Sequence, residues 1–202
     1  DVAAYLDWSG LRFMTEMEYE KACRGHLPPL PNEFPWRSAT ITSGPFTLDN
    51  TLTTSEGVAS GYATTKGNAM YGSSANTASA VRVGAFAANP GNTGRTAAGA
   101  SYYGAMELAG NAYELVISVG NVAGLGYTGV HGNGDLTSAG GHDPATWPPV
   151  TASDQFGARG GSVSTTIANV GELRVSDRTL GASANGTIHI THFGIRGIRT
   201  AP

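Results

Sequence analysis

The amino-acid sequence predicts a single α+β domain in which short helices and short strands are joined by long loops. Helical signals are concentrated in residues 1 to 25, and short stretches of alternating apolar and polar residues occur in the last hundred residues. The chain has 202 residues, including 29 glycines, which suits one loop-rich domain. We expect one domain over residues 1–202, with an insertion rich in Gly, Ala, Ser and Thr at about residues 37–100.

Two helices are predicted at the start of the chain. The first covers Val2 to Trp8 and ends at Ser9-Gly10. The second begins after Thr15, because Thr15 and Glu18 have the spacing of a capping box, in which each residue satisfies a free amide of the other. Gly25 is a natural stop for this helix, since glycine readily adopts the backbone conformation that follows a last helical turn.

The stretch from His26 to about Ala100 is predicted to be loop, because it combines proline punctuation with Gly, Ala, Ser, Thr and Asn. Its charge content is too low for a typical disordered segment. We therefore expect an ordered, loop-rich surface that is held in place by its aromatic side chains, which are Phe34, Trp36, Tyr62, Tyr71 and Phe86.

Short strands are predicted in the last hundred residues. The alternation in Thr187 to Thr191 and in Phe193 to Ile198 fits strands with one buried face. His189 and His192 lie three residues apart, which in a strand places them on opposite faces, so they are not expected to ligate one ion together.

Charge and composition exclude several classes of partner. The formal net charge is -3, charged residues make up 13% of the chain, and no cluster of Lys and Arg is present. Neither nucleic acid nor an anionic membrane is therefore an expected partner. No apolar stretch approaches the ~18 residues of a membrane span. The chain has one cysteine, Cys23, so it forms no intrachain disulfide and no cysteine-based metal site.

Candidate chemistry in the sequence is sparse. The Asn111 carbonyl and the Glu114 carboxylate are oxygen ligands of the kind calcium prefers; the alternative is that Asn111 turns the backbone and Glu114 pairs with an arginine. Cys23 lies in a predicted helix and is expected to pack as a small apolar side chain. Ser162 follows two glycines but has neither the G-x-S-x-G pattern nor an evident base. His131 and His142, in a glycine-rich loop, are expected to be solvated.

Several segments resemble, in order, motifs of the formylglycine-generating enzyme and sulfatase-modifying factor family. "AAYLDWSGLRFMTEMEYEKACRG" is similar to a helix followed by Arg-Leu-Pro-Thr-Glu-Ala-Glu-Trp-Glu, and "FPW" to Tyr-Pro-Trp. "YYGAMELAGNAYELV" is similar to Gly-Leu-x-Asp-Met-x-Gly-Asn-Val-Trp-Glu-Trp, while "ARGGSV", "LRVSDR" and "FGIRGIR" resemble Arg-Gly-Gly-Ser-Trp, Arg-x-Ala-x-Arg and a terminal Gly-Phe-Arg. The resemblance implies a variant of the C-type lectin fold. It also implies that strands normally precede residue 1, so the domain is expected to be incomplete at its N-terminus.

The resemblance also bears on catalysis. In the oxidases of the family, two cysteines bind copper at positions that correspond here to Thr165 and Val170. Neither side chain offers the thiolate that copper(I) prefers. The sequence therefore predicts a protein that is not an enzyme of this type.

A binding branch of the fold, the variable proteins of diversity-generating retroelements, resembles this chain in its Arg-Gly-Gly-Ser, Arg-x-x-x-Arg and Gly-Phe-Arg frame. The resemblance implies residues diversified through adenine mutagenesis of asparagine-type codons, which does not produce Trp, Met, Lys, Gln or Glu. Residues 163–192 contain only Glu172 from that set, a composition that a Gly-rich loop of low charge would also have. We expect Arg159, Arg174, Arg178 and Arg196 to anchor the frame by multiple hydrogen bonds. The predicted ligand contacts are Val163, Thr165, Thr166, Asn169, Val170, Asp177, Thr179, His189, Thr191 and His192.

The expected function is binding of a protein or glycan outside the cell, at a cell surface or on a phage particle. Three alternatives remain at this level. The chain is a structural subunit that assembles with itself or with an N-terminal partner segment, or it is an enzyme of altered chemistry. In the third alternative, the run between the arginine motifs, residues 163–172, is a neutral linker.

Overall fold

A computed structural model describes residues 1–72, 80–149, 155–182, 184 and 191–201. In these ranges the chain forms helices α1 (Val2–Trp8), α2 (Glu16–Arg24) and α3 (Val122–Leu125), and a 3-10 segment, Ile167–Leu173, that is interrupted at Asn169. The strands are β1 (Ile41–Thr42), β2 (Thr47–Asp49), β3 (Gly57–Ser60), β4 (Gly67–Asn68), β5 (Tyr113–Ile117), β6 (Phe156–Arg159) and β7 (Phe193–Gly194). The mixture of short helices and strands confirms the predicted α+β class.

Both N-terminal helices lie where the sequence places them. Helix α2 begins with a complete capping box: the Glu18 N–H donates to Thr15 Oγ1 over 3.2 Å, and the Thr15 N–H donates to Glu18 Oε2 over 3.0 Å. The helix ends at Gly25, which has a φ of 68°. Its inner face buries Tyr19 and Cys23, so α2 packs against the body of the domain.

A three-stranded sheet in the order β6-β5-β7 forms the centre of the fold. β5 and β6 are antiparallel, with Glu114 opposite Arg159, and β5 and β7 are parallel, with Tyr113 opposite Phe193. Every residue of β5 and β6 is buried. The pairing of β5 with β6 therefore places Glu114, from the "GNAYELV" motif, opposite Arg159, from the "ARGGSV" motif.

The predicted strand from Phe193 to Ile198 is shorter than expected. Pairing with β5 ends at Gly194, because the chain then leaves the sheet and Ile198 forms an isolated bridge with Arg12. The strand predicted over Thr187 to Thr191 lies, apart from Thr191, outside the described residues.

The Pro- and Gly-rich region after α2 is ordered by side-chain burial, with little regular structure. β1 and β4 form a parallel pair, and β2 and β3 form an antiparallel pair. Of the aromatic side chains expected to hold this region, Tyr62 is half-buried and four are buried, namely Phe34, Trp36, Tyr71 and Phe86. Burial of these aromatic side chains, with only short strands, thus holds the region after α2 in place.

Four apolar clusters make up the core of the described residues. The sheet cluster joins α1 to the central sheet, and the α2 cluster lies beneath α2. The loop cluster surrounds Phe46 and Phe86, and the Trp36 cluster surrounds Phe34, Trp36 and Leu173. No helix among the described residues is long and apolar enough to cross a membrane.

Candidate functional site

The Arg-Gly-Gly-Ser motif makes a sharp turn at the end of β6. Gly160 and Gly161 have φ values of 86° and 67°, where side chains other than glycine are strained. A Cβ on Gly160 would lie 2.5 Å from the carbonyl oxygen of Leu108, and one on Gly161 would lie 2.5 Å from Leu173 Cδ1. The turn therefore requires both glycines, and it leads into a segment in which buried Ser162, Val163 and Thr165 precede the exposed residues 166–169.

Arg159 ties this turn to α2. Its side chain is fully buried, and its guanidinium donates to Glu16 Oε1 over 2.8 Å and to Glu20 Oε1 over 3.2 Å. It also donates to the carbonyl oxygen of Val175 over 2.5 Å. One side chain thus links β6, α2 and the end of the 3-10 segment, which fixes both ends of the run between them.

Two further arginines complete an ion-pair network around Glu20. Arg24 contacts Glu20 at 2.6 Å and Glu33 at 2.7 Å, and Arg178 contacts Glu20 at 2.5 Å. Burial raises the pKa of Glu20, but the hydrogen bonds from Arg24 and Arg159 outweigh it, so the pKa lies below its usual range. The carboxylate stays ionised and keeps the network intact at neutral pH.

The predicted anchoring role is confirmed for three of the four frame arginines. Arg159 and Arg178 contact α2, while Arg196 pairs with Glu114 and donates to the Met106 carbonyl oxygen over 2.7 Å. The side chain of Arg174 makes no hydrogen bond with the described residues, and its Nε is buried without a partner.

A polar cluster lies under the run. The Tyr113 hydroxyl donates to Glu172 Oε2 over 2.5 Å, and the Thr165 hydroxyl donates to the same oxygen over 3.0 Å. Thr165 Oγ1 also accepts the Ser162 N–H over 3.0 Å. Burial, followed by the bond to Glu172, raises the pKa of Tyr113 to about 12, so the phenol keeps its proton. The polar groups of this cluster thus satisfy one another by hydrogen bonds.

The copper site that the resemblance implies does not fit these residues. Thr165 is 3% exposed and both its donor and its acceptor capacity are used within the polar cluster. Val170 packs against the Trp36 cluster and carries no donor atom. Neither side chain supplies the soft sulfur ligand that copper(I) prefers.

Cys23 does not replace the missing thiols. It is fully buried beneath α2, as the sequence predicts for a small apolar side chain. Burial raises its pKa to about 12, so it remains a neutral thiol at physiological pH.

The predicted ligand contacts fall into three groups. Thr166, Asn169, Thr179 and Thr191 are exposed, and Val170, Asp177 and His192 are partly exposed. Val163 and Thr165 depart from the expectation that side chains of the run face solvent, because Val163 packs in the loop cluster and Thr165 in the polar cluster. His189 lies outside the described residues.

Two features of this surface escaped the sequence prediction. Ile167 is 60% exposed, although its apolar side chain suggested no contact role. A cavity of about 210 Å³ is lined by Asn32, Glu33, Arg174, Ser176 and Asp177, which brings a distant loop to the predicted contact Asp177. Ile167 lies between predicted contacts, so the sequence could have identified it. The approach of Asn32 and Glu33 to Asp177 could not be identified, because these residues are far apart in the sequence.

We define the display surface as four predicted contacts, Thr166, Asn169, Thr179 and the half-buried Asp177, together with the neighbouring exposed residues Ile167 and Ala168. Its side chains are small or medium-sized, and Asp177 carries a charge; Arg178, whose side chain is 43% exposed and pairs with Glu20, lies between Asp177 and Thr179 in the sequence. Buried residues flank its 166–169 segment in sequence, namely Val163, Thr165 and Leu173. Loops that lie over a packed scaffold tolerate changes of their exposed side chains.

The predicted calcium ligands are engaged with protein partners. Asn111, which has a φ of 66°, accepts the Val81 N–H through its side-chain oxygen over 2.7 Å and donates to the Val81 carbonyl over 3.0 Å. The Glu114 carboxylate pairs with Arg196, which is the alternative that the sequence left open. This donor set does not fit calcium, and the described residues contain no group of three or more His, Cys, Asp or Glu side chains suited to a metal ion.

Comparison with known proteins identifies one family. The model of the sulfatase-modifying factor enzyme 1-like domain matches residues 1–201. No curated protein and no solved structure gives a significant match.

Proposed function

Because the chain belongs to the sulfatase-modifying factor enzyme 1-like domain family, we propose that it acts as a non-catalytic binding domain that presents the display surface on a C-type-lectin-like scaffold. The partner is a protein or a glycan, met outside the cell, at a cell surface or on a phage particle.

One observation carries this proposal: four consecutive exposed residues, 166–169, are held between two segments that buried arginine contacts fix in place. A rigid support lowers the entropy that a loop loses on binding, so such a surface is suited to recognition. The exposed Ile167 supplies an apolar contact at its centre, and Asn169 and the threonines supply hydrogen-bonding groups.

The chemistry below the surface supports binding over oxidation. Where the oxidases of the family use two thiolates, this chain has a threonine that is saturated by hydrogen bonds and a valine that is packed against aromatic residues. The cysteine that is present is a buried neutral thiol.

Membership in the retroelement-diversified branch is part of the proposal. Glu172 is the one residue in 163–192 that adenine mutagenesis would not produce, and its carboxylate accepts hydrogen bonds from Tyr113 and Thr165 below the surface. An invariant position is expected to carry such a structural role. A reverse transcriptase gene beside a near-copy of the 3′ end of this gene is the expected genomic finding, and fixed sequences in related copies would contradict it.

The binding role is tested by the double variant T166R/N169R, which fills the display surface with large side chains. The wild type is expected to bind components of an array of surface proteins and neutral cell-surface glycans, and the variant is expected to lose those interactions. T166R/N169R should melt within a few degrees of the wild type, because the substituted side chains are exposed. The control T64R/T65R adds the same charges at exposed positions elsewhere and should retain binding.

An enzymatic result would overturn the proposal. The purified domain is supplied with copper(I) and a cysteinyl peptide, and aldehyde formation is followed by mass spectrometry. We expect no product, and turnover would contradict a non-catalytic role. Loss of array binding in the T64R/T65R control as well would contradict the display surface as the binding site.

A further inference from the structure

A second surface feature lies apart from the display surface and shares none of its residues. It is a groove of about 740 Å³, which we call the Trp8 groove, formed by Trp8, the 131–134 loop and Arg199. A volume of this size is typical of small-molecule sites.

The aromatic wall of the groove is exposed to an unusual degree. Trp8 is 64% exposed and Tyr5 is 57% exposed, and their ring centroids lie 6.2 Å apart on α1. Aromatic and arginine side chains concentrate binding energy at recognition sites, whereas a large exposed indole gives the fold little. The two rings are tilted by 43° to each other, and Trp8, which lines the groove, provides an apolar ring face beside its polar groups.

Free hydrogen-bond donors surround this face. Neither the Trp8 indole N–H nor the Arg199 guanidinium has a hydrogen-bond partner in the part of the chain that the structure describes. His131 Nε2 accepts the Thr200 N–H over 3.0 Å, which leaves the proton of the neutral imidazole on Nδ1, a third donor.

The acidic side chains close to the groove are largely engaged. Asp7 is buried and accepts the N–H groups of Asn133 and Asp143, over 2.9 Å and 2.8 Å. Asp143 in turn accepts the side chain of Asn133, and Asp135 is exposed beyond the lining residues. The Asp7 and Asp143 carboxylates are held by neutral N–H groups behind the lining, and Arg199 is the lining residue that carries a fixed charge.

The Trp8 groove also contains hydrogen-bond acceptors. The carbonyl groups of Gly132 and Gly134 accept no hydrogen bond from the described residues, and both line the groove. An apolar ring face, a guanidinium, two neutral donors and backbone acceptors together match a ligand with an apolar ring face, a carboxylate and several hydroxyl groups.

We propose that the Trp8 groove binds an acidic saccharide, in which a sugar ring packs on Trp8, the carboxylate pairs with Arg199, and hydroxyl groups bond to His131 and the glycine carbonyls. Arginine is suited to this role because its planar guanidinium offers two parallel N–H groups to a carboxylate.

Intrinsic fluorescence gives a direct test, because Trp36 and Trp147 are 2% and 4% exposed and Trp8 is the tryptophan that solvent reaches. The protein is titrated with 3′-sialyllactose and with a galacturonate trimer, and with lactose and a galactose trimer as the neutral counterparts. We expect a saturable change in emission with at least one acidic sugar and a response at least about tenfold weaker with its neutral counterpart.

Variants assign the response to the groove. W8A should abolish the fluorescence change, and calorimetry on W8A should show the same loss of binding. R199Q should weaken binding of the acidic sugar about tenfold or more while leaving the weak response to the neutral sugar unchanged. K66Q removes a positive charge from an exposed site elsewhere, and Y103A removes an aromatic ring that is 60% exposed elsewhere; both should bind as the wild type does.

The proposal would be overturned if neither acidic sugar gave a saturable response up to about 10 mM, a concentration that corresponds to a binding free energy of about 3 kcal/mol. Equal responses to acidic and neutral sugars would also overturn it. So would undiminished binding of the acidic sugar by R199Q. The T166R/N169R variant should bind the acidic sugar normally, so failure of the display surface and failure of the groove are distinguishable.

Discussion

At the scale of single residues, Arg159 shows how a charged side chain organises the region below the display surface. Its guanidinium is shielded from water, contacts two carboxylates and one carbonyl, and lies 5.1 Å from the centre of the Tyr19 ring. A buried ion pair gains little over an apolar pair of the same shape, but removal of one partner leaves the other charge buried and unpaired. Arg159 therefore matters to stability because its removal would leave buried carboxylates without their cation.

R159M is expected to lower the free energy of unfolding by roughly 3 to 5 kcal/mol, because Glu16 then remains buried without its closest cation. The measurement is urea unfolding at pH 7. R178M is the matched control: the Arg178 side chain is 43% exposed, so its loss should cost at most about 1 kcal/mol. Equal losses in the two variants would show that burial of Arg159 is not the source of the effect.

Glu107 is expected to make the stability of the protein depend on pH. It is 4% exposed, has a φ of 60°, and its Oε1 has no hydrogen-bond partner within the described residues. Burial raises its pKa from 4.5 to about 7, with Arg196 acting in the opposite direction. A carboxyl group whose pKa is higher in the folded state binds its proton more tightly there, so the stability it contributes is present below pH 4.5 and is lost as the pH rises to 7.

E107Q is expected to remove this dependence, since glutamine has no proton to lose. The difference in unfolding free energy between wild type and E107Q should shift by roughly 3 kcal/mol in favour of the variant between pH 4.5 and pH 7, and stay constant above pH 7 to 8. Urea unfolding at a series of pH values gives this difference. The exposed D135N serves as control, and its difference from wild type should change little; a flat difference for E107Q would mean that Glu107 is ionised throughout.

At the scale of elements, α2 is positioned by a capping box that also connects to the C-terminal segment. Glu18 accepts the Thr15 N–H and contacts Arg12 at 2.6 Å, and Arg12 donates to the Thr200 hydroxyl over 3.0 Å. The start of α2 is thus linked to residues near the other end of the chain.

T15A is expected to lower the free energy of unfolding by about 1 kcal/mol, because it removes the hydroxyl that accepts the Glu18 N–H. T15S keeps the hydroxyl and should retain most of the wild-type stability. Thermal and urea unfolding provide the comparison. If T15S were as unstable as T15A, the methyl group and not the cap would be responsible.

The sequence predicts elements well where the deciding contacts are local. The capping box spans three residues, and the stop at Gly25 depends on one backbone conformation, so both are readable from the chain. The end of β7 depends on Ile198 pairing with Arg12, and no local pattern reveals a partner so far away. The same reason explains why the sequence did not identify Val163 and Thr165 as buried: their neighbours are Phe86 and Tyr113.

At the scale of the whole molecule, the run between the arginines connects separate parts of the core. Val163 belongs to the loop cluster and Leu173 to the Trp36 cluster, while Thr165 contacts the central sheet through Tyr113. The buried side of the run is held by these contacts, and its exposed side makes no contact of this kind. The sequence motifs predicted the arginine frame, but the division of the run into an outer and an inner side follows from packing alone.

This arrangement predicts that the sheet cluster and the Trp36 cluster unfold together. Trp147 reports on the first and Trp36 on the second, and both are buried. W8F/W36F leaves Trp147, and W8F/W147F leaves Trp36. In each double variant, the urea midpoint from tryptophan emission should coincide with the midpoint from far-UV circular dichroism of the same variant, because a cooperative domain has no populated intermediate. The W8F single variant controls for removal of the exposed indole. A fluorescence midpoint that precedes the dichroism midpoint in one variant would show that its cluster opens separately, and the run would then join two units that fold independently.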